Sequence, residues 1–406
     1  MADLPSDLLT EIISRLPPQP ILRFRLSSKW LKSIIDSHNF TNLHLKNSLN
    51  FNLILSHDSE FYQFDFPNLT TTGSLYHPLT SKSDVALLGS CNGLLCISNQ
   101  VDEIAFWNPN IRKHHFIPYP PSPHRSIGAT FHFVVHGFAY DPFSEDYKLL
   151  RISSSIDIIC ELLPNMAHAI ASSQDMAVFV ENSFHWVTIH ELDNFHQPAL
   201  IVAFNLAQEI FNEVPLPEIL ASTSQDFGTN LSLLGQSLCM LLRYQNMNNK
   251  TTKVDVWVMK EYGFRDSWCV LFTLEEVFFS RPFTPWKPLG YSGDRSKVLL
   301  EVDCEEPWGN GDIKIECKKL FWYDLKSKRA TCVPGIPNIN KVMIYVGSLL
   351  PPSLPIDDNY NYMKENQPRL KCESKMQVKL NRPSCPEIDI EKKLRKNKTG
   401  CLSCLW

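Results

Sequence analysis

The first 45 residues constrain this chain more than any other stretch. They read Leu4-Pro5, Leu8-Leu9, Ile12-Ile13 and Leu16-Pro17, then Ile21-Leu22-Arg23-Phe24-Arg25-Leu26, then Lys29-Trp30-Leu31 with Ile34-Ile35, and finally Phe40. Apolar residues at 8, 9, 12, 13 and 16 recur at three- and four-residue steps, the spacing of one helical face. Pro5 suits a first helical turn, and Pro17-Pro18 ends the segment. Pro20 can open a second short helix carrying Ile21, Leu22 and Leu26. Trp30, Leu31, Ile34 and Ile35 form a third apolar stripe, in which Trp30 is expected to be buried. Three helices this short bury too little to stand alone. The unit must lean on a neighbouring domain or on a partner.

This segment resembles an F-box, which docks a substrate receptor onto the Skp-type adaptor of a cullin-based ubiquitin ligase. The pattern is met by Leu4-Pro5, Ile12-Ile13, Leu16-Pro17, Leu22-Arg23-Phe24-Arg25, Lys29-Trp30 and Phe40. Two departures stand out. Ser27-Ser28 occupies the usual place of Val-Cys, and Pro20 that of a basic residue. The resemblance implies an adaptor-binding face made of Leu4, Pro5, Leu8, Ile12, Leu16, Pro17, Leu22 and Trp30, with cullin reached through the adaptor.

The body of the chain repeats itself. Trp107-Asn108-Pro109 leads to Pro118, Phe204-Asn205-Leu206 to Pro215, and Tyr323-Asp324-Leu325 to Pro334. In each window an aromatic precedes Asn or Asp, and proline follows ten residues later. Asn and Asp favour turns because their side chains bond nearby backbone groups, so each window reads as strand, turn, strand. Val256 to Met259 with Trp268 is a looser copy. Further hairpins are signalled at Gly93–Ile97, Val178–Trp186 and Leu231–Cys239. A repeat of about 40–50 residues built from strands points to a radial array of the propeller type.

This region is similar to the F-box-associated interaction domain of plant F-box proteins, a group that includes pollen S-locus F-box proteins and kelch-like immune regulators. The motifs are Gly89-Ser90-Cys91-Asn92-Gly93-Leu94-Leu95-Cys96, Trp107-Asn108-Pro109, Gly137 to Pro142 with Asp146-Tyr147-Lys148, Val256 to Gly263, and Leu320 to Leu325. The family's Ser-x-x-Trp motif is missing between Arg151 and Asp175, so one blade is expected to be truncated or rebuilt. Cys304 to Cys317 reads as an insertion between strands Val298–Val302 and Leu320–Tyr323. It holds Glu305, Glu306 and Trp308, candidates for contact with a basic partner surface. A solvated insertion without a partner is the bland alternative.

The expected architecture is therefore a small all-α three-helix F-box (1–44), a large all-β propeller-like repeat domain (45–350), and a basic tail (351–406) expected to be disordered. From Asp357 the tail holds 11 Lys and Arg against 7 Asp and Glu, while the whole chain carries −4. The Lys392–Lys398 cluster beside Cys401 and Cys404 offers reversible acylation or nuclear import as alternatives to a plain basic end. The overall charge gives no general attraction to nucleic acid. No stretch approaches the ~20 apolar residues of a membrane span. Twelve cysteines scattered without a secretion signal fit a reduced cytoplasmic or nuclear setting, where the Asn68 sequon carries no meaning.

No metal or cofactor pattern emerges. The lone Cys401/Cys404 pair lacks a second ligand pair, Cys91 and Cys96 suit packing, and His114-His115 has no further ligand at metal spacing. His132, His136, His168, His185 and His190 have no nucleophile or orienting acid nearby in sequence, and no nucleophile-elbow, Walker or dinucleotide pattern occurs. The expectation is a non-catalytic substrate-recognition subunit for an unknown protein substrate. The rivals are a propeller-type hydrolase or glycan-binding protein with a helical cap, and a free regulator that competes for the adaptor.

Overall fold

The computed structural model describes residues 5–47, 51–80, 85–99, 103–117, 133–154, 169–170, 176–189, 198–218, 227–245, 251–275, 283–308, 313–336 and 338–352. The basic tail beyond 352 lies outside them.

Among the described residues the N-terminal unit has four short helices, one more than its three apolar stripes predict: α1 Ser6–Ser14, α2 Pro18–Phe24, α3 Lys29–Ile35 and α4 His38–Asn47. The fourth escapes the periodicity argument because its buried face includes Thr41 and His44 beside Phe40. His44 Nε2 lies 3.1 Å from the Leu16 carbonyl, which ties α4 to the end of α1. Pro18, and not Pro20, opens α2. The Ser27-Ser28 departure has a local reason. Ser28 Oγ accepts from Leu31 N at 3.1 Å and caps α3, an interaction whose loss typically costs about 1 kcal/mol. Ile13, Ile21, Ile35 and Phe40 form the core of the unit, flanked by Leu9, Leu16, Leu22, Leu31 and Ile34. Two β-domain residues, Ile111 and Leu349, complete the same cluster, so the unit does lean on its neighbour.

The β domain is a propeller. Its first blade holds β1 Phe51–His57, β2 Glu60–Asp65 and β3 Thr71–Leu75. The second holds β4 Ala86–Cys91, β5 Leu94–Ser98, β6 Ile104–Asn108 and β7 Lys113–Ile117. A two-stranded hairpin follows, β8 Phe133–Asp141 with β9 Asp146–Ser154. The third complete blade sets β10 Ala169–Ile170 and β11 Val178–Val180 along one edge of β12 Ser183–Ile189, then β13 Pro198–Asn205 and β14 Ile210–Val214. The fourth is β15 Phe227–Leu234, β16 Ser237–Gln245, β17 Thr251–Met259 and β18 Trp268–Glu275. The fifth is β19 Phe283–Tyr291, β20 Lys297–Trp308, β21 Ile313–Asp324 and β22 Arg329–Cys332. The last strand, β23 Lys341–Val346, returns to pair antiparallel with β1, from Phe51↔Val346 to Ser56↔Lys341. Among the described residues, five blades and one hairpin are thus closed by the two ends of the domain.

Inner strands β23, β4, β8, β11, β15 and β19 touch in a closed ring. The hairpin β8–β9 carries the Gly137–Pro142 and Asp146–Lys148 motifs and immediately precedes the departure from the family pattern; residues 155–168 and 171–175, on which the truncated-blade expectation rests, lie outside the described residues. Close approach between blades needs small residues. A Cβ on Gly89 would come within 2.6 Å of Phe138, and one on Gly137 within 2.6 Å of the Phe184 ring. The core sits between blades, for example Val187, Ile201 and Val214 against Leu238, Met240 and Trp268.

The stretch read as an insertion between Cys304 and Cys317 is a continuation of two strands. The β20–β21 ladder runs unbroken from Lys297↔Asp324 through Cys304↔Cys317 to Trp308↔Ile313. Its neighbours stop earlier: β19 pairs with β20 only as far as Cys304, and β22 pairs with β21 only from Phe321 to Asp324. Among the described residues, 305–308 and 313–316 therefore form a two-stranded ribbon extending past its blade.

Candidate functional site

The F-box helices divide their apolar residues into two sets. One builds the core just described. The other faces outward: Leu8 is 54% exposed, Ile12 53%, Phe24 42%, Leu26 81% and Trp30 47%. Leu8 and Ile12 stand one turn apart on α1 and share a face, while Phe24, Leu26 and Trp30 cluster in sequence around the α2–α3 connection. Scattered exposed apolar residues are ordinary on a surface, but five in one small helical unit make it a candidate interaction surface.

Of the residues expected to bind an adaptor, Pro5, Leu8, Ile12, Pro17 and Trp30 are exposed, and Leu16 and Leu22 are half-buried. Leu4 lies outside the described residues. The expectation that Trp30 anchors the core is corrected. Ile21 and Ile35 fill that space, and the third helix turns its tryptophan outward. Phe24 and Leu26 were missed as contact candidates. Their signal was present, since Ile21, Leu22, Phe24 and Leu26 crowd more large apolar residues into α2 and the turn after it than one buried side can use. Arg25 links α2 and α3: its guanidinium bonds both carboxylate oxygens of Asp36, with Nη2 to Oδ2 at 2.9 Å. These are the C-cap residues of α2 and α3. The Arg25 bond holds the Asp36 carboxyl below its ordinary range, and Lys113 of β7 adds to this from the β domain.

The F-box meets the β domain at the β6–β7 turn, through Ile111, and at the segment after β23, through Leu349. In a propeller of antiparallel blades the inner strands run in the same direction, and the parallel bridge His136↔Met176, just before β11, agrees. Turns from first to second and from third to fourth strand therefore share one end of the propeller, and second-to-third turns lie at the other. The β6–β7 turn belongs to the first group and the β20–β21 ribbon to the second. Glu305, Glu306 and Trp308 accordingly sit on a ribbon at the end opposite the F-box.

No group of three His, Cys, Asp or Glu side chains able to hold a metal occurs among the described residues. No described helix is long and apolar enough to cross a membrane. Of the scattered histidines, His132, His168 and His190 lie outside the described residues. His185 is buried, donating from Nδ1 to the Val178 carbonyl at 3.0 Å and accepting at Nε2 from the Tyr262 hydroxyl at 2.6 Å. Burial drops its pKa to about 4, so it is a neutral seam residue between the third and fourth blades.

A small F-box-type helical unit seated on a propeller defines the class of protein, and comparison with known sequences agrees. Residues 1–43 match the F-box domain and residues 43–350 match the F-box associated beta propeller domain. The chain belongs to the family of F-box proteins that carry this propeller. Among its relatives, F-box protein CPR1 of Arabidopsis thaliana is 28% identical, covering 94% of this chain and 97% of that protein. F-box protein At4g22390 of the same plant is 25% identical over 82% and 86% of the two chains. F-box/kelch-repeat protein At3g23880, also from Arabidopsis thaliana, is 23% identical over 74% and 85%.

Proposed function

We propose that this chain is the substrate-recognition subunit of a Skp–cullin–F-box ubiquitin ligase. Its F-box takes the adaptor, and its propeller takes a protein marked for ubiquitination and degradation. The observation that carries this reading is the division of the F-box helices into a buried core and an outward set of Leu8, Ile12, Phe24, Leu26 and Trp30. Other subunits perform the transfer, and this chain supplies proximity, which raises the effective concentration of substrate lysines. The test is co-precipitation with a Skp-type adaptor and its cullin. Wild type should bring down both, and a Leu8→Asp/Ile12→Asp double variant neither. Adaptor without cullin would favour a free competitor for the adaptor.

The substrate is proposed to engage the end of the propeller away from the F-box, with the β20–β21 ribbon and its Glu305, Glu306 and Trp308 as the leading candidates. Acidic residues beside a Trp suit a basic partner surface, since Trp is enriched among binding hot spots. An E305A/E306A/W308A triple variant should lose the proteins captured by wild type; an unchanged set would move the site elsewhere on the propeller. The rival hydrolase reading needs carboxylates free to act in a cleft. The buried carboxylates described here have cationic partners. Asp141 lies 2.9 Å from Lys148, Asp255 2.9 Å from Lys253, and Glu301 3.3 and 3.2 Å from Lys287 and Lys318. Such pairing favours a structural role for them.

A further inference from the structure

The three aligned windows place Asn108, Asn205 and Asp324 at the same point of their hairpins. Asn205 Oδ1 accepts from the backbone N–H groups of Ala207 and Gln208. Asp324 Oδ1 accepts likewise from Lys326 and Ser327. Asn108 Oδ1 holds its own turn through Asn110 N at 3.0 Å. It then does something the other two do not. Its Nδ2 donates to the Ser348 carbonyl at 3.1 Å, to Ser348 Oγ at 3.2 Å and to the Leu350 carbonyl at 2.8 Å. The Tyr345 hydroxyl donates to Asn108 Oδ1 at 3.3 Å and accepts from Asn110 Nδ2 at 2.5 Å. Asn108, Tyr345 and Ser348 are all fully buried. Space there is short: a Cβ on Gly93 would fall 2.1 Å from Ser348 Oγ.

The two segments that Asn108 joins are the two that hold the F-box. The β6–β7 turn supplies Ile111, and the stretch after the closing strand supplies Leu349. Between them, Gly347 passes so near α2 that a Cβ would lie 3.2 Å from Pro18. We infer that Asn108 is a positioning residue. By clamping residues 345–350 to the β6–β7 turn, it builds the socket that fixes the F-box on the propeller, and with it the direction in which a bound substrate faces the ligase. The last part rests on the ligase reading above; the socket itself does not. The socket also exists only when β23 has closed the ring, because half of it is the continuation of that strand.

Asn108→Asp is the discriminating variant. Asp324 shows that aspartate supports this turn, but a carboxylate has no hydrogens for the Ser348 and Leu350 carbonyls. Hydrogen exchange on the full chain should show amides of α2, α3 and 347–350 exchanging at least tenfold faster in the variant, with the fourth and fifth blades unchanged. An Ile111→Ser/Leu349→Ser variant, which leaves Asn108 intact, should do the same and decides the matter if Asn108→Asp does not fold. Adaptor binding should survive in both. In the reconstituted ligase, self-ubiquitination should spread from the lysines modified in wild type to new ones, which a loss of stability alone would not cause. Unchanged exchange in the F-box helices, or equal loosening of every blade, would overturn the inference. Failure of the wild-type chain to bind the adaptor would remove the ligase reading and leave the exchange result standing.

Discussion

Ile12 and Ile13 are neighbours in sequence and face different sides of α1: Ile13 is 6% exposed and packs in the helical core, whereas Ile12 is 53% exposed. The pair separates two roles that one apolar pattern would otherwise merge. Ile13→Ala should destabilise the F-box by about 2–5 kcal/mol, the usual cost of emptying a packed isoleucine site. Ile12→Ala should leave its melting within about 0.5 kcal/mol of wild type, and adaptor affinity should fall instead. Thermal melting and adaptor titration on the same two variants check both statements.

Trp30→Ala gives the same contrast on α3. Because its indole is outward and Ile21 and Ile35 hold the core, the variant should fold normally and lose adaptor affinity at least tenfold. A collapse of the helical far-ultraviolet signal would place the side chain back in the core.

Acid should loosen the seam between the third and fourth blades. His185 is held neutral by burial, with its pKa lowered from 6.5 to about 4. The unfolded chain therefore binds the proton more readily. The stability this group contributes is complete above pH 6.5 and falls as pH drops toward 4. The shift corresponds to roughly 3 kcal/mol by the lower limit. Urea midpoints of wild type and His185→Gln should converge between pH 7 and pH 4; parallel curves would show that another group sets the acid sensitivity.

Capping supplies a quieter test. Ser28→Ala removes the acceptor for Leu31 N and should cost about 1 kcal/mol in the F-box, while Ser27→Ala, whose hydroxyl only donates back to the Phe24 carbonyl at 2.8 Å, should cost less. Equal effects in a melting comparison would contradict the assignment of Ser28 as the cap.

Much of this was readable from local pattern. The windows around Asn108, Asn205 and Asp324 became hairpins because an Asx turn depends on residues two and three positions away. What remained hidden depended on distant partners or on helix phase. Nothing near Asn108 announces that its amide reaches Ser348 and Leu350. α4 is held by Phe40 but also by Thr41 and His44, which a hydrophobic count passes over. Trp30 was misplaced because α3 carries four apolar residues in seven, enough to leave its buried side ambiguous. The 304–317 stretch reads as an insertion because its charged residues break apolar alternation, yet its backbone continues the β20–β21 ladder to Trp308↔Ile313.

The outward face of the F-box is proposed to capture a Skp-type adaptor. Isothermal titration of the full chain with a purified adaptor tests it most directly. Wild type is expected to bind with one-to-one stoichiometry, and the Leu8→Asp/Ile12→Asp variant, folded and melting like wild type, to show no heat of binding. No binding by wild type, or equal binding by the variant, would contradict it.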